Sequence, residues 1–233
     1  MMITGIILQI QETASFLSGT DSEGEITLPI IDLVMKGGWI MGVIGVLSVI
    51  TIYIFIERFF VIGRAKKEDK NFMNSIRKYI HEGKLESAQA LCLTNNSPIG
   101  RMISKGLSRI SRPLSDINAA IENTGKLEVS KLENNVAGLA TIAGAAPMLG
   151  FLGTVIGMIR AFYDMSMAGN NINIELLSRG IYQAMITTVG GLVVGITAYI
   201  FYNIIVSRIQ SVVYKLEINA TEFMDMLHEP AKK

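Results

Sequence analysis

Thr154, Gln183, Thr187 and Thr188 are hydrogen-bonding side chains set in two stretches, Asn134 to Ile159 and Gly180 to Ser207, that hold no acid and no base. A hydroxyl or an amide can order water, coordinate a cation or extend a hydrogen-bonded chain, but it does not give up a proton near neutral pH. Any ion guided by these residues must therefore be handled with help from another chain. Beside that functional reading stands a structural one, because a hydroxyl on an apolar helix most often bonds back to its own backbone. Gln183 stands one turn before Thr187, and an amide in hydrocarbon requires partners. It is either a link between helices or part of a polar lining.

The elements that must position these residues are long. With Gly37 to Ile56, the two stretches make three uncharged segments, each reaching the roughly 20 residues that cross about 30 Å of hydrocarbon. Thr154 lies five residues before the outer end of its span and Thr188 eight residues after the outer start of the next. At about 1.5 Å per residue these depths are about 8 and 12 Å, so the hydroxyls are expected at similar level in an antiparallel hairpin. Both spans are crowded with small residues. Ala146, Gly150 and Thr154 repeat every fourth position, as do Gly153 and Gly157, while Gly180, Ala184, Thr188, Gly191, Gly195 and Ala198 form one stripe. Such rows let helix backbones approach in lipid, and contacts between copies of the chain are expected at Gly153, Gly157, Gly191 and Gly195. Pro147 removes a backbone bond to Ala143, so a kink or a locally hydrated backbone is expected there. That places it with Thr154, Thr188 and Gln183 among the candidate pore-lining residues.

Half of the 233 residues are hydrophobic and 18% are charged, the balance of a chain whose surface largely faces lipid. The charges are sorted. Five acids and one base precede Trp39, whereas Arg58 to Lys131 holds fourteen Lys and Arg. Basic loops stay on the cytoplasmic side, which puts the N-terminus outside and the C-terminus inside, with 18 bases inside and 3 outside. The expected organisation is an extracytoplasmic segment over 1–36, a first span over 37–62, a cytoplasmic helical region over 63–133, a transmembrane hairpin over 134–207 and an amphipathic C-terminal helix over 208–233.

Met1 to Gln11 is apolar without a basic start or cleavage site, and reads as an interfacial segment rather than a secretory signal. Ser18 to Glu25 reads as an acidic connection, and Pro29 to Lys36 as a short helix feeding the first span. Trp39 suits an interfacial anchor. Gly37, Gly38, Gly42 and Gly45 thin the outer half of that span, and Glu57 with Arg58 suits a snorkelling pair at its inner edge. Helical periodicity predicts soluble helices on either side of Gly83, a loop over Asn95 to Pro98, a third helix through Ile110 and another opened by Pro113. The last is expected to run without a break into the second span, and the third span to continue inward as an amphipathic helix. No strand-like alternation competes, so the class is all-α. Cys92 reads as a buried small hydrophobe, and His81 and His228 as isolated surface residues. No nucleophile, metal or phosphate motif points to an enzyme, a metal or a cofactor, and nothing points to nucleic acid.

Taken together, Gly37-Gly-Trp, Ile56-Glu-Arg, Ala146-Pro-Met-Leu-Gly-Phe-Leu-Gly-Thr-Val-Ile-Gly-Met-Ile159 and Gly180-Ile-Tyr-Gln-Ala-Met-Ile-Thr-Thr188 resemble the MotA/TolQ/ExbB proton channel family, nearest its ExbB and TolQ branch. The resemblance spans Pro29 to about Arg208. It implies a homo-oligomeric, pentameric ring in the bacterial inner membrane, enclosing the spans of an ExbD- or TolR-like single-span partner whose membrane Asp carries the proton. Through a TonB- or TolA-like protein that spans the periplasm, proton flow would become work. Thr154 and Thr188 match the family's pore-lining threonines, whereas the position of Gln183 is commonly Glu in ExbB proteins. Two rivals remain: a passive membrane scaffold, and a flagellar stator of the MotA branch, which usually has four spans where three are counted here.

Overall fold

The computed structural model describes residues 37–66, 71–95, 97–167 and 174–228. All of the regular structure among them is helical: α1 Gly38–Lys66, α2 Phe72–His81, α3 Leu85–Thr94, α4 Pro98–Leu107, α5 Leu114–Glu133, α6 Val136–Met167 and α7 Ile174–His228. Three helical segments, Gly38–Ala65, Leu114–Met167 and Leu177–His228, are long and apolar enough to cross a membrane. The protein is an integral membrane protein. The N-terminal segment, the feeder helix, the centre of the outer hairpin and the final two lysines lie outside the described residues.

Local chemistry explains the breaks. Gly83, with φ +69, supplies the left-handed turn that separates α2 from α3 without the steric cost a Cβ would add. Ser97 caps α4 by accepting a hydrogen bond from the Gly100 amide at 3.0 Å, and Pro98 follows in the first turn, where its missing N–H costs nothing. Pro113 stands immediately before α5. The expected unbroken passage from α5 into the second span is corrected: Asn134 and Asn135 interrupt it. Asn135 takes a left-handed φ of 59 and its amide donates to Asn134 Oδ1 at 3.1 Å. Asn tolerates that conformation because its side chain bonds locally. The third span does continue, with α7 running 55 residues to His228.

The chain divides into two compact units, Met1–Val46 with Ala146–Val193 and Leu47–Ala145 with Val194–Lys233. In the second, Phe72, Met73 and Ile76 of α2 bury one face at helical spacing, against a core that includes Ile103, Ile121, Leu139, Ile205 and Phe223. Full burial of each large apolar side chain contributes about 1.5–3 kcal/mol. Cys92 is buried in this core, and burial pushes its thiol up to about 12. Phe55 stacks on Phe201 at 3.9 Å between centroids, and the Arg208 guanidinium lies 3.8 Å from the Phe59 ring centre.

Arg58 departs from the snorkelling expectation. Its side chain is 7% exposed; it donates to the Lys131 carbonyl at 3.2 Å and pairs with Glu57 at 3.2 Å. The guanidinium thus ties α1 to the last turn of α5, where helix carbonyls lack intrahelical partners. Glu128, 4% exposed, accepts hydrogen bonds from Arg101 at 2.5 Å and Lys131 at 2.6 Å. Burial works against its charge, but the two cations outweigh burial and hold the carboxyl below its ordinary value of 4.5. A carboxyl depressed by folding adds stability that is complete above its unfolded value and disappears as the pH falls through the folded one. Thermal unfolding in detergent should therefore show a loss of stability below about pH 4.5. Glu128→Gln should remove that acid-dependent part and lower stability at pH 7 by about 1–3 kcal/mol. An unchanged pH profile in the variant would show that the triad does not contribute.

Candidate functional site

The candidate site lies in the first unit, where α6 and α7 pack through backbone. A Cβ placed on Gly150 would stand 2.9 Å from the Thr187 carbonyl oxygen and 3.2 Å from Gly191 Cα. On Gly153 it would stand 2.6 Å from Thr187 Cβ, and on Gly157 3.0 Å from Ala184 Cβ and 3.2 Å from the Gly180 carbonyl oxygen. On Gly191 it would meet the Ala146 oxygen at 2.5 Å and Gly150 Cα at 2.9 Å. The small-residue rows thus interlock within one chain. Gly195 is also buried within the chain. By contrast, a Cβ on Gly42 or Gly45 of α1 would meet nothing within 4 Å.

The three threonines use their protons differently. Thr154 Oγ1 donates to the Phe151 carbonyl at 2.6 Å and buried Thr187 to the Ala184 carbonyl at 2.8 Å, both within their own helices. Thr188 instead donates across the pair to the Gly150 carbonyl at 3.3 Å. Each hydroxyl proton is committed to a carbonyl, and each oxygen keeps acceptor capacity. Thr154 and Thr188 are partly exposed, so their oxygens can receive a hydrogen bond from water or from a protonated acid. The carbonyls that accept from Thr154 and Thr188 belong to adjacent residues of α6, Phe151 and Gly150, about 1.5 Å apart along the helix axis.

Gln183 faces a different neighbour. Its amide nitrogen lies 2.5 Å from the place a Cβ on Gly38 would occupy, and Gly38 has φ +70 at the start of α1. The side chain therefore packs over the opening turn of the first span, which favours the link between helices over the polar lining. Pro147 lies inside α6, which continues as one helix from Val136 to Met167. The structure thus brings Thr188 to Gly150 and Ala184 to Gly157, and sets Gln183 apart against α1.

Thr187 is the residue that spacing underrated. It is 1% exposed and fills the hollow at Gly153, a role legible only once the facing glycine is known. Among the described residues no group of three or more His, Cys, Asp or Glu side chains could hold a metal ion. What the site can do is place two polar oxygens along a tightly packed helix pair that holds no acid or base over Asn134 to Ile159 and Gly180 to Ser207.

Residues 94–218 match the MotA/TolQ/ExbB proton channel family. An ExbB homolog of Methanothermobacter thermautotrophicus, described as a biopolymer transport protein, is 35% identical over 136 residues, 58% of this chain and 47% of the relative. The match therefore spans about half the length of that protein. The ExbB-like protein 1 of Synechocystis is 27% identical over 180 residues, 76% of this chain and 71% of the relative. The Tol-Pal system protein TolQ of Haemophilus influenzae is 28% identical over 221 residues, 88% of this chain and 96% of the relative.

Proposed function

Since the chain belongs to the MotA/TolQ/ExbB proton channel family, with relatives in its ExbB and TolQ branch, we propose that it is the channel-forming subunit of a proton-driven machine of the inner membrane. Several copies, five in the family's pattern, surround the spans of an ExbD- or TolR-like partner, and the assembly works on a TonB- or TolA-like protein that reaches across the periplasm. The N-terminus faces the periplasm and the C-terminus the cytoplasm, in keeping with the distribution of Lys and Arg.

The observation that carries this reading is the packed helix pair, free of acid and base over Asn134 to Ile159 and Gly180 to Ser207, with Thr154 and Thr188 as partly exposed acceptors. Acceptors without an acid suit a path whose titrating carboxylate arrives on another chain. Each proton crossing 100 mV supplies about 2.3 kcal/mol, so a few per cycle suffice for a rotation or rocking step. A passive scaffold is the rival reading, because the same glycines and back-bonded hydroxyls also serve packing alone.

The test reconstitutes this chain with an ExbD- or TolR-like single-span protein from the same organism, in liposomes carrying a pH dye. Proton uptake down an imposed gradient is expected only when both chains are present, and is expected to return to the background leak when the partner's membrane Asp is changed to Asn. Uptake that never exceeds the background leak would support the scaffold.

A further inference from the structure

The second unit carries a groove of its own. One part, about 500 Å³, runs between the start of α6 and α7 and is lined by Val136, Val206, Ile209 and Tyr214 among others. A second part, about 570 Å³, continues between α5 and α7. Both share Glu133, Val213 and Glu217, so the apolar floor is continuous and two carboxylates stand at its midpoint. Glu133 and Glu217 are exposed and in no ion pair among the described residues, whereas Glu122 farther along is held by Lys126 at 2.7 Å. Tyr214 projects from the rim, 65% exposed.

We propose that this groove seats the cytoplasmic juxtamembrane segment of the single-span partner, an apolar stretch bearing Lys or Arg. The proposal rests on the channel reading above and adds the place where the partner is held outside the membrane. Charge decides the occupant. The cytoplasmic flank of a membrane span is enriched in Lys and Arg, and the groove walls carry the opposite excess. The groove lining itself carries Glu122, Glu133 and Glu217 against Lys126. A second copy of this chain seated through the same groove would set acids against acids, and like charges facing each other disfavour it. An apolar floor with acids at its midpoint instead suits an amphipathic segment that lays its apolar side down and its cations across Glu133 and Glu217.

The test uses the complex of both chains in native-lipid nanodiscs, with Gln210→Cys in the groove and a cysteine scan through the partner's cytoplasmic segment. Cys92 is buried and does not compete. Disulfide formation with the partner is expected at a contiguous set of positions. Glu133→Lys with Glu217→Lys should lower its yield about fivefold, the scale of one or two exposed ion pairs. Changing the partner's own Lys and Arg to Glu should restore the yield, which a merely misfolded groove could not do. A partner that co-purifies yet forms no disulfide at any scanned position overturns the groove assignment alone, as does a product joining two copies of this chain. A partner that fails to co-purify at all overturns the channel reading and the groove with it.

Discussion

Gly191→Leu is expected to abolish the native packing of the α6–α7 pair. Its first added carbon would stand 2.5 Å from the Ala146 carbonyl oxygen and 2.9 Å from Gly150 Cα. Both are backbone atoms, so no rotamer change relieves the clash and the helices must move apart. Separation at that level also opens the contacts at Gly153 and Gly157, whose neighbours lie at comparable closeness. In lipid there is no hydrophobic drive to bring two apolar helices back together, and association depends on the van der Waals contact that is lost. Overpacking alone costs about 1–3 kcal/mol, and loss of the neighbouring close contacts adds to it. The variant should be recovered in low yield, unfold at markedly lower temperature in mild detergent and be cut readily by protease. Gly45→Leu is the control, since a Cβ there meets nothing within 4 Å. Equal stability of Gly191→Leu and the parent chain would refute this account of the interlocked glycines.

The parts of the fold legible in the sequence are those governed by length or by a single strong local preference. Three uncharged segments of spanning length have no alternative in water, and Gly83, Ser97-Pro98 and Pro113 each mark a helix end through backbone chemistry that needs no tertiary partner. The break at Asn134 and Asn135 was not legible. Leu132, Val136 and Leu139 are all buried, and two Asn residues are compatible with helix as well as with a turn, so only the observed φ of Asn135 decides. Arg58 was misread for a related reason. A cation at a span's inner edge ordinarily reaches toward water, and its burial depends on a carbonyl 73 residues away at Lys131.

At the candidate site, spacing showed that one face of each helix is small but not which helix that face meets. Rows at three- and four-residue intervals suit a neighbour in the same chain and a neighbour in another equally well. Within the chain, Gly150, Gly153, Gly157 and Gly191 meet the facing helix at close range. The threonines carry a further ambiguity, since a hydroxyl bonded to a carbonyl satisfies the helix and still offers an oxygen to something passing by. A substitution that keeps the shape and deletes the oxygen separates those uses.

Thr154→Val combined with Thr188→Val makes that separation. Valine nearly preserves each side chain's volume, and the carbonyls of Phe151 and Gly150 that now accept from the hydroxyls retain their ordinary helical donors. If the hydroxyls serve packing alone, stability and transport should barely change. As acceptors beside a partner's acid, their removal takes two hydrogen-bonding positions from a narrow path, and a buried proton donor left without them bears the desolvation cost. Proton flux in the two-chain liposomes is therefore expected to fall at least about tenfold, corresponding to 1.4 kcal/mol on the barrier, while the partner still co-purifies. Gln183→Glu provides the contrast, because its side chain packs at the opening turn of α1, where a helix N-terminus favours negative charge. That variant should assemble and conduct. Full gradient-driven activity in the double threonine variant would return Thr154 and Thr188 to a packing role, leaving the path to be sought on another face of the helices.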